Sequence, residues 1–288
     1  AFTISMIMLF IRYKTREAQL KMDLQLKQME KQNIEISHNM GVQMFTNFSH
    51  ELRTPLTLII APLTDLLHKE DMPPAYRQPL ELINRNSQRL LWLVNRLMDF
   101  HKLEAGKMQL HVSNYNLGTY IPEIIKLFMP VAEKKNISIE FNDTTSSTDT
   151  WFDAILLEKV FFNLLSNSLK HTPNGGYIII SSMETNTEDI QKPENLGLPA
   201  EKILLIKVED SGSGIPANMM PRIFEAFFQA GEKVLGSGIG LNLTKSIIEL
   251  HGGRIWIDNK EGHGMTVSFT LPLGKDSYTE NQLLSKDK

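Results

Sequence analysis

Residues 48–56 read Phe48-Ser49-His50-Glu51-Leu52-Arg53-Thr54-Pro55-Leu56. Helical phase puts Phe45, Phe48, Leu52, Leu56 and Ile59 on one apolar face and Thr46, Asn47, His50, Arg53, Thr54 and Thr57 on the opposite, wet one. The pattern predicts an amphipathic helix with an accessible His50. Pro55 lacks an N–H and its ring crowds the carbonyl of Glu51, so a bend is predicted one turn after the histidine. An exposed imidazole with a pKa of ~6.5 is roughly three-quarters neutral at pH 7, and so nucleophilic. Glu51 could accept the ring proton as the other nitrogen attacks phosphorus. Alone, such a pair is usually a solvated surface contact, so its surroundings must decide.

Toward the N-terminus the apolar positions step by threes and fours through Met22, Leu26, Met29, Ile36 and Met40, with Asn33 in the same seam. That spacing predicts a coiled coil over 15–45, and a polar seam residue favours one register of a parallel dimer. Beyond Met40 the steps become four (Met44, Phe48, Leu52, Leu56), a stutter that turns the helix to a new face. The first eleven residues, AFTISMIMLFI, are nearly all apolar, and Arg12, Lys14 and Arg16 follow them. As helix they reach only ~16 Å of a ~30 Å hydrocarbon core. Charge after the apolar run is the order of a helix leaving a membrane on its cytoplasmic side, so residues 1–14 are expected to be the end of a transmembrane helix.

Toward the C-terminus, Asp71-Met72-Pro73-Pro74 breaks the pattern, and a second helix carrying Leu80, Ile83, Leu90, Leu93, Leu97 and Phe100 runs to Glu104, ended by Ala105 and Gly106. Two helices with such broad stripes cannot bury them as one hairpin. A homodimer whose two hairpins form a four-helix bundle over 40–106 is the expected solution.

From about residue 108 strands alternate with helices, with strands expected at 137–141, 177–183, 203–209, 254–259 and 265–271. This predicts a separate α/β domain over 108–273, interrupted by a polar surface insertion at 185–200 and followed by a linker or tail over 274–288. With 288 residues, 42% hydrophobic and 22% charged, the chain can bury the cores of about two domains. A net charge of −3 gives no reason to expect nucleic-acid binding. The absence of cysteine excludes disulfides, thiolate metal sites and cysteine nucleophiles.

Within 155–171, Asn163, Asn167, Lys170 and His171 fall on one helical face. Two asparagines in a helix interior suggest a demand on their amide oxygens, such as Mg²⁺ or phosphate-bound water. After the strand 203–209 comes Asp210-Ser211-Gly212-Ser213-Gly214-Ile215-Pro216, where a carboxylate could read an exocyclic amine beside close-approaching backbone. Gly236-Ser237-Gly238-Ile239-Gly240-Leu241 opens a further helix, a setting that holds phosphate. It lacks both the Rossmann spacing and the P-loop lysine.

FSHELRTPL resembles the phosphoacceptor motif of bacterial sensor histidine kinases, and NLLSNSLKH, DSGSGI, FEAFF and GSGIGL resemble, in order, the N, G1, F and G2 boxes of their ATP domain. Together the resemblances cover roughly residues 15–272. They imply an α/β sandwich of the histidine-kinase/gyrase ATP-binding type. They also imply ATP-dependent phosphorylation of His50, with Glu51 as general base, and transfer to an aspartate of a response-regulator receiver domain, separate or in the same longer chain. Thr54 stands where the family holds a polar residue used in dephosphorylating the partner. By the same resemblance Asn167, assisted by Asn163, would hold Mg²⁺. Lys170 and His171 would lie near the phosphates, with histidine where the family often has tyrosine. Asp210 would bind the adenine amine, and Gly212, Gly214, Gly236, Gly238, Gly240 and Leu241 would form the nucleotide loops, with Phe224, Phe227 and Phe228 in a mobile lid. The implied place is the cytoplasmic face of the bacterial inner membrane. A clamp-type ATPase of the same nucleotide fold would not need His50, and an ATP-binding scaffold without kinase activity would leave it unphosphorylated.

Overall fold

In the computed structural model the described residues are 51–69, 72–145, 150–190, 202–229, 238–260 and 262–284, with isolated positions between 6 and 29. His50, Gly236 and most of the expected coiled-coil seam, Asn33 included, lie outside them. Among the described residues no helix is long and apolar enough to cross a membrane. The chain divides into two compact units, Ala1–Gly106 and Lys107–Lys288.

The first unit is helical. Residues 51–67 (α1) stay helical through Pro55 and Pro62. Helix α2, Pro74–Glu104, starts with a proline where a missing N–H costs nothing, and ends where Gly106 takes φ 62°. Leu63, Val94, Met98 and Phe100 are buried, and Arg53 Nη2 donates to Asn95 Oδ1 across the hairpin at 2.9 Å. Much of the apolar surface stays open. Leu52, Ile59 and Leu66, spaced by seven on α1, are 39–45% exposed, and Tyr76, Ile83 and Leu90, spaced by seven on α2, are 48–64% exposed. The expected inward face of α1 is thus only partly covered within one chain.

The second unit has one mixed sheet in the order β2-β4-β5-β7-β6, from β2 (Ser138–Asp143), β4 (Tyr177–Asn186), β5 (Lys202–Asp210), β6 (Ile255–Lys260) and β7 (Gly264–Pro272). Only β2 and β4 run parallel. A small antiparallel ribbon joins β1 (Ser113–Tyr115) to β3 (Thr150–Phe152). Helices α3 (Leu117–Lys134), α4 (Ala154–His171) and α5 (Gly240–Leu250) pack on β2, β5 and β7 respectively. Alternation puts Ile178, Ile180, Ile206, Val208, Val267 and Phe269 on the buried face, where Phe161 of α4 meets Phe269 edge-on at 6.0 Å. Asn116 and Asp153 cap α3 and α4 by accepting from Thr119 N and Leu156 N.

The expectation of a tail from Gly274 onward is corrected as far as residue 284. Tyr278 is buried and its hydroxyl donates to the Trp151 carbonyl at 3.0 Å. Val112 N donates to Gln282 O at 2.7 Å, and Leu284 N donates to Val112 O at 2.9 Å. A tyrosine and two leucines in a polar stretch are enough to anchor it.

Candidate nucleotide site

The Asp153 cap starts α4 so that its C-terminal half carries Asn163, Asn167, Lys170 and His171. These four residues share a helical face but differ in exposure. Asn163 is 2% exposed, and its Nδ2 donates to Thr244 Oγ1 of α5 at 2.8 Å. Its Oδ1 lies so close to Gly240 that a Cβ there would sit 2.1 Å away, so only glycine fits at the start of α5. Asn163 therefore joins the two helices. Asn167 is half-buried, whereas Lys170 and His171 are exposed in the last turn. Partial desolvation of the ring, although the residue reaches solvent, and then the charge of Lys170 push His171 below its ordinary pKa, with Asp210 opposing.

Asp210 ends β5 and is 3% exposed. Its Oδ1 accepts from Gly212 N and its Oδ2 from Ser168 Oγ, both at 3.0 Å. Burial raises its pKa, opposed by the Gly212 and Ser168 hydrogen bonds and then by His171. A Cβ at Gly212 would stand 2.7 Å from Asp210 Oδ1 and 3.0 Å from the His171 carbonyl, so glycine brings the loop against both. Gly214 takes φ 65°, which glycine adopts without strain.

Helix α5 has no side-chain cap at Ile239, and among the described residues no side chain is seen to accept from the N–H groups of Gly240, Leu241 and Asn242 at its positive end. Leading into it, Gly238 takes φ 68° and packs on the Phe227 main chain, whose N–H donates to Gly238 O at 3.0 Å. In the segment 216–229, Asn242 Nδ2 donates to Phe224 O at 2.9 Å, and the Arg222 guanidinium stacks on Phe228 at 4.6 Å. Phe227 is 59% exposed. In the helical unit, Glu51 and Thr54 are helical and exposed.

The sequence reading missed Ser168, Thr244, Asp153 and His251. Each works through a contact made by the fold rather than by spacing. His251, ending α5, is buried, with Nε2 accepting from Asp153 N at 3.1 Å and Nδ1 against the Ile247 carbonyl at 2.8 Å. An N–H donor on Nδ1 and an acceptor on Nε2 require the neutral ring, and burial holds its pKa below 6.5. The folded state therefore binds fewer protons here than the unfolded chain. This stability is present above about pH 6.5 and is lost as pH falls through the folded-state value. Melting of the full chain should fall on acidification, with a shallower slope in His251→Gln. Equal slopes would assign the dependence elsewhere.

Two family models match the chain. Residues 42–106 match the His Kinase A (phospho-acceptor) domain, and residues 152–275 match the histidine kinase-, DNA gyrase B- and HSP90-like ATPase. Histidine kinase P4 of Formosa agariphila is 34% identical over 96% of this chain and 20% of its own length. Hybrid signal transduction histidine kinase D of Dictyostelium discoideum is 36% identical over 80% of this chain and 15% of its own. The chain thus spans a fifth or less of these two curated relatives. Full-length ShkA, solved in complex with AMPPNP, shares the fold with a TM-score of 0.64 at 23% identity, over 81% of this chain and 46% of that one. A phospho-acceptor domain followed by an ATPase domain, at this level of identity, shows that the chain belongs to the sensor histidine kinases and carries their kinase core.

Proposed function

We propose that the chain binds ATP, phosphorylates its own His50 and passes the phosphoryl group to an aspartate of a response-regulator receiver domain. The observation that carries this reading is that α4, in a domain joined to a phospho-acceptor helix, touches Asp210 through Ser168 and the uncapped start of α5 through Asn163, with Asn167 between those two positions. Asp210 would accept from the adenine amine, the α5 amides with Lys170 and His171 would meet the phosphates, and Gly212, Gly214, Gly236, Gly238 and Gly240 would let backbone approach. Mg²⁺, when bound, would neutralise phosphate charge, and an amide oxygen such as that of Asn167 suits a hard ion that keeps water and phosphate oxygens as its other ligands. Among the described residues no group of three His, Cys, Asp or Glu could hold a metal. Asn163, already bonded to Thr244, would assist by fixing α5.

In the transfer, a ring nitrogen of His50 forms a bond to the γ-phosphorus, the bond to the bridging oxygen breaks, and ADP leaves. The ring proton passes to Glu51. Thr54, one turn on and exposed, is the residue proposed to serve in dephosphorylating the receiver. The two half-exposed heptad stripes support a homodimer. Residues 1–14, apolar and then basic, support attachment at the cytoplasmic side of a membrane.

Incubation with Mg²⁺ and ATP labelled at the γ or the α position tests the reading. The γ label should be retained on the protein and the α label should not. Free phosphate with unlabelled protein would favour a clamp-type ATPase, and binding without turnover a scaffold.

A further inference from the structure

Ile215 is the last residue of the glycine loop before Pro216, where the lid segment begins. Both of its main-chain groups are taken by one side chain: its N–H donates to Asn259 Oδ1 at 2.7 Å, and its carbonyl accepts from Asn259 Nδ2 at 2.6 Å. Asn259 lies near the end of β6, opposite Met265 of β7. A planar amide offering one donor and one acceptor does here what a neighbouring strand would do. The β6–β7 hairpin reinforces the hold, because Gly262 N donates to the Ser213 carbonyl at 2.8 Å. At Gly264 a Cβ would meet the Asp210 carbonyl at 1.9 Å, so the hairpin lies flush against the end of β5.

The far side of the lid segment has contacts of its own. Phe224 O accepts one bond from Asn242, and Phe227 bonds Gly238 while sitting at φ 64°, a region costly for a phenylalanine. The segment is also pinned at its root.

We propose that Asn259 is a positioning residue for nucleotide binding: it fixes the point where the glycine loop ends and the lid begins, and so sets the loop against its ligand. The inference rests on the ATP-binding reading above. The Asn259 amide is spent on Ile215 and acts through it. Asparagine is required by its two-sided chemistry. Aspartate, of the same shape, keeps the acceptor for Ile215 N–H but sets a carboxylate oxygen against the Ile215 carbonyl, and serine cannot reach both groups.

The test measures KM for ATP and kcat of autophosphorylation in the dimeric full chain for wild type, Asn259→Asp and Asn259→Ser, with apo melting temperatures alongside. Loss of a neutral two-point contact that holds the loop in ground and transition states alike is expected to raise KM about ten-fold in N259D, with kcat at saturating ATP within about two-fold. N259S, which adds no charge, is expected to shift KM the same way by roughly three-fold or more, and serves if N259D does not fold. A wild-type KM in the folded variants, a lower melting temperature with KM unchanged, or an equal loss in kcat and kcat/KM would each overturn the proposal. If the wild type bound no ATP, the kinase reading itself would fall and the inference with it, whereas the inference fails alone when wild type binds and the variants bind equally well.

Discussion

Asp210→Asn is expected to weaken ATP binding by roughly 10- to 150-fold, the worth of about 1.5–3 kcal/mol for a hydrogen bond to a charged group. Gly212 N–H, Ser168 O–H and the proposed adenine amine converge on this carboxylate once adenine is present. A carboxylate can accept from all three, but an amide offers one oxygen and turns an NH₂ toward at least one of them. At 3% exposure, water cannot repair the mismatch. The shape is unchanged, so the β5 strand should survive and the loss should appear as affinity. Titration with a fluorescent nucleotide, on variant checked for cooperative melting, measures it. Wild-type affinity in a folded Asp210→Asn protein would remove Asp210 from the adenine site.

Ile59→Asp is expected to convert the dimer into monomer at micromolar concentrations. Ile59 is the middle of the stripe Leu52, Ile59, Leu66, which one chain leaves 39–45% exposed. In a four-helix bundle that stripe closes against the other protomer, and two-fold symmetry places the new charge there twice. An unpaired carboxylate buried at such an interface costs roughly 3 kcal/mol, so two copies raise the dissociation constant by about 10⁴-fold. Light scattering across a dilution series reads the mass directly. A variant as dimeric as wild type would mean that the stripe faces something other than a second copy.

How far the fold could be read in advance depended on the range of the interactions. Alternation and turn residues gave the strands at 177–183 and 203–209 because both signals are local, and the observed strands, Tyr177–Asn186 and Lys202–Asp210, only extend them. Helical phase correctly put Asn163 and Asn167 on one face, yet phase says nothing about what covers that face. At Asn163 the cover is Thr244, 81 residues later. The Asn259–Ile215 pair spans 44 residues, and an asparagine near a strand end carries no mark of its partner. Polar composition concealed the anchoring of 275–284, where Tyr278 decides the outcome against its neighbours. The glycine positions were legible for the opposite reason: a missing Cβ is written in the sequence, and Gly212 and Gly240 prove to be places where one would collide.

The most direct measurement of the central claim is retention of γ-phosphate by wild type and His50→Gln after incubation with Mg²⁺ and γ-labelled ATP, followed by acid and base treatment of the labelled protein. A phosphoramidate on His50 requires label that is stable in base, lost in acid and absent from the variant. Label that survives acid, or that persists in His50→Gln, would contradict it.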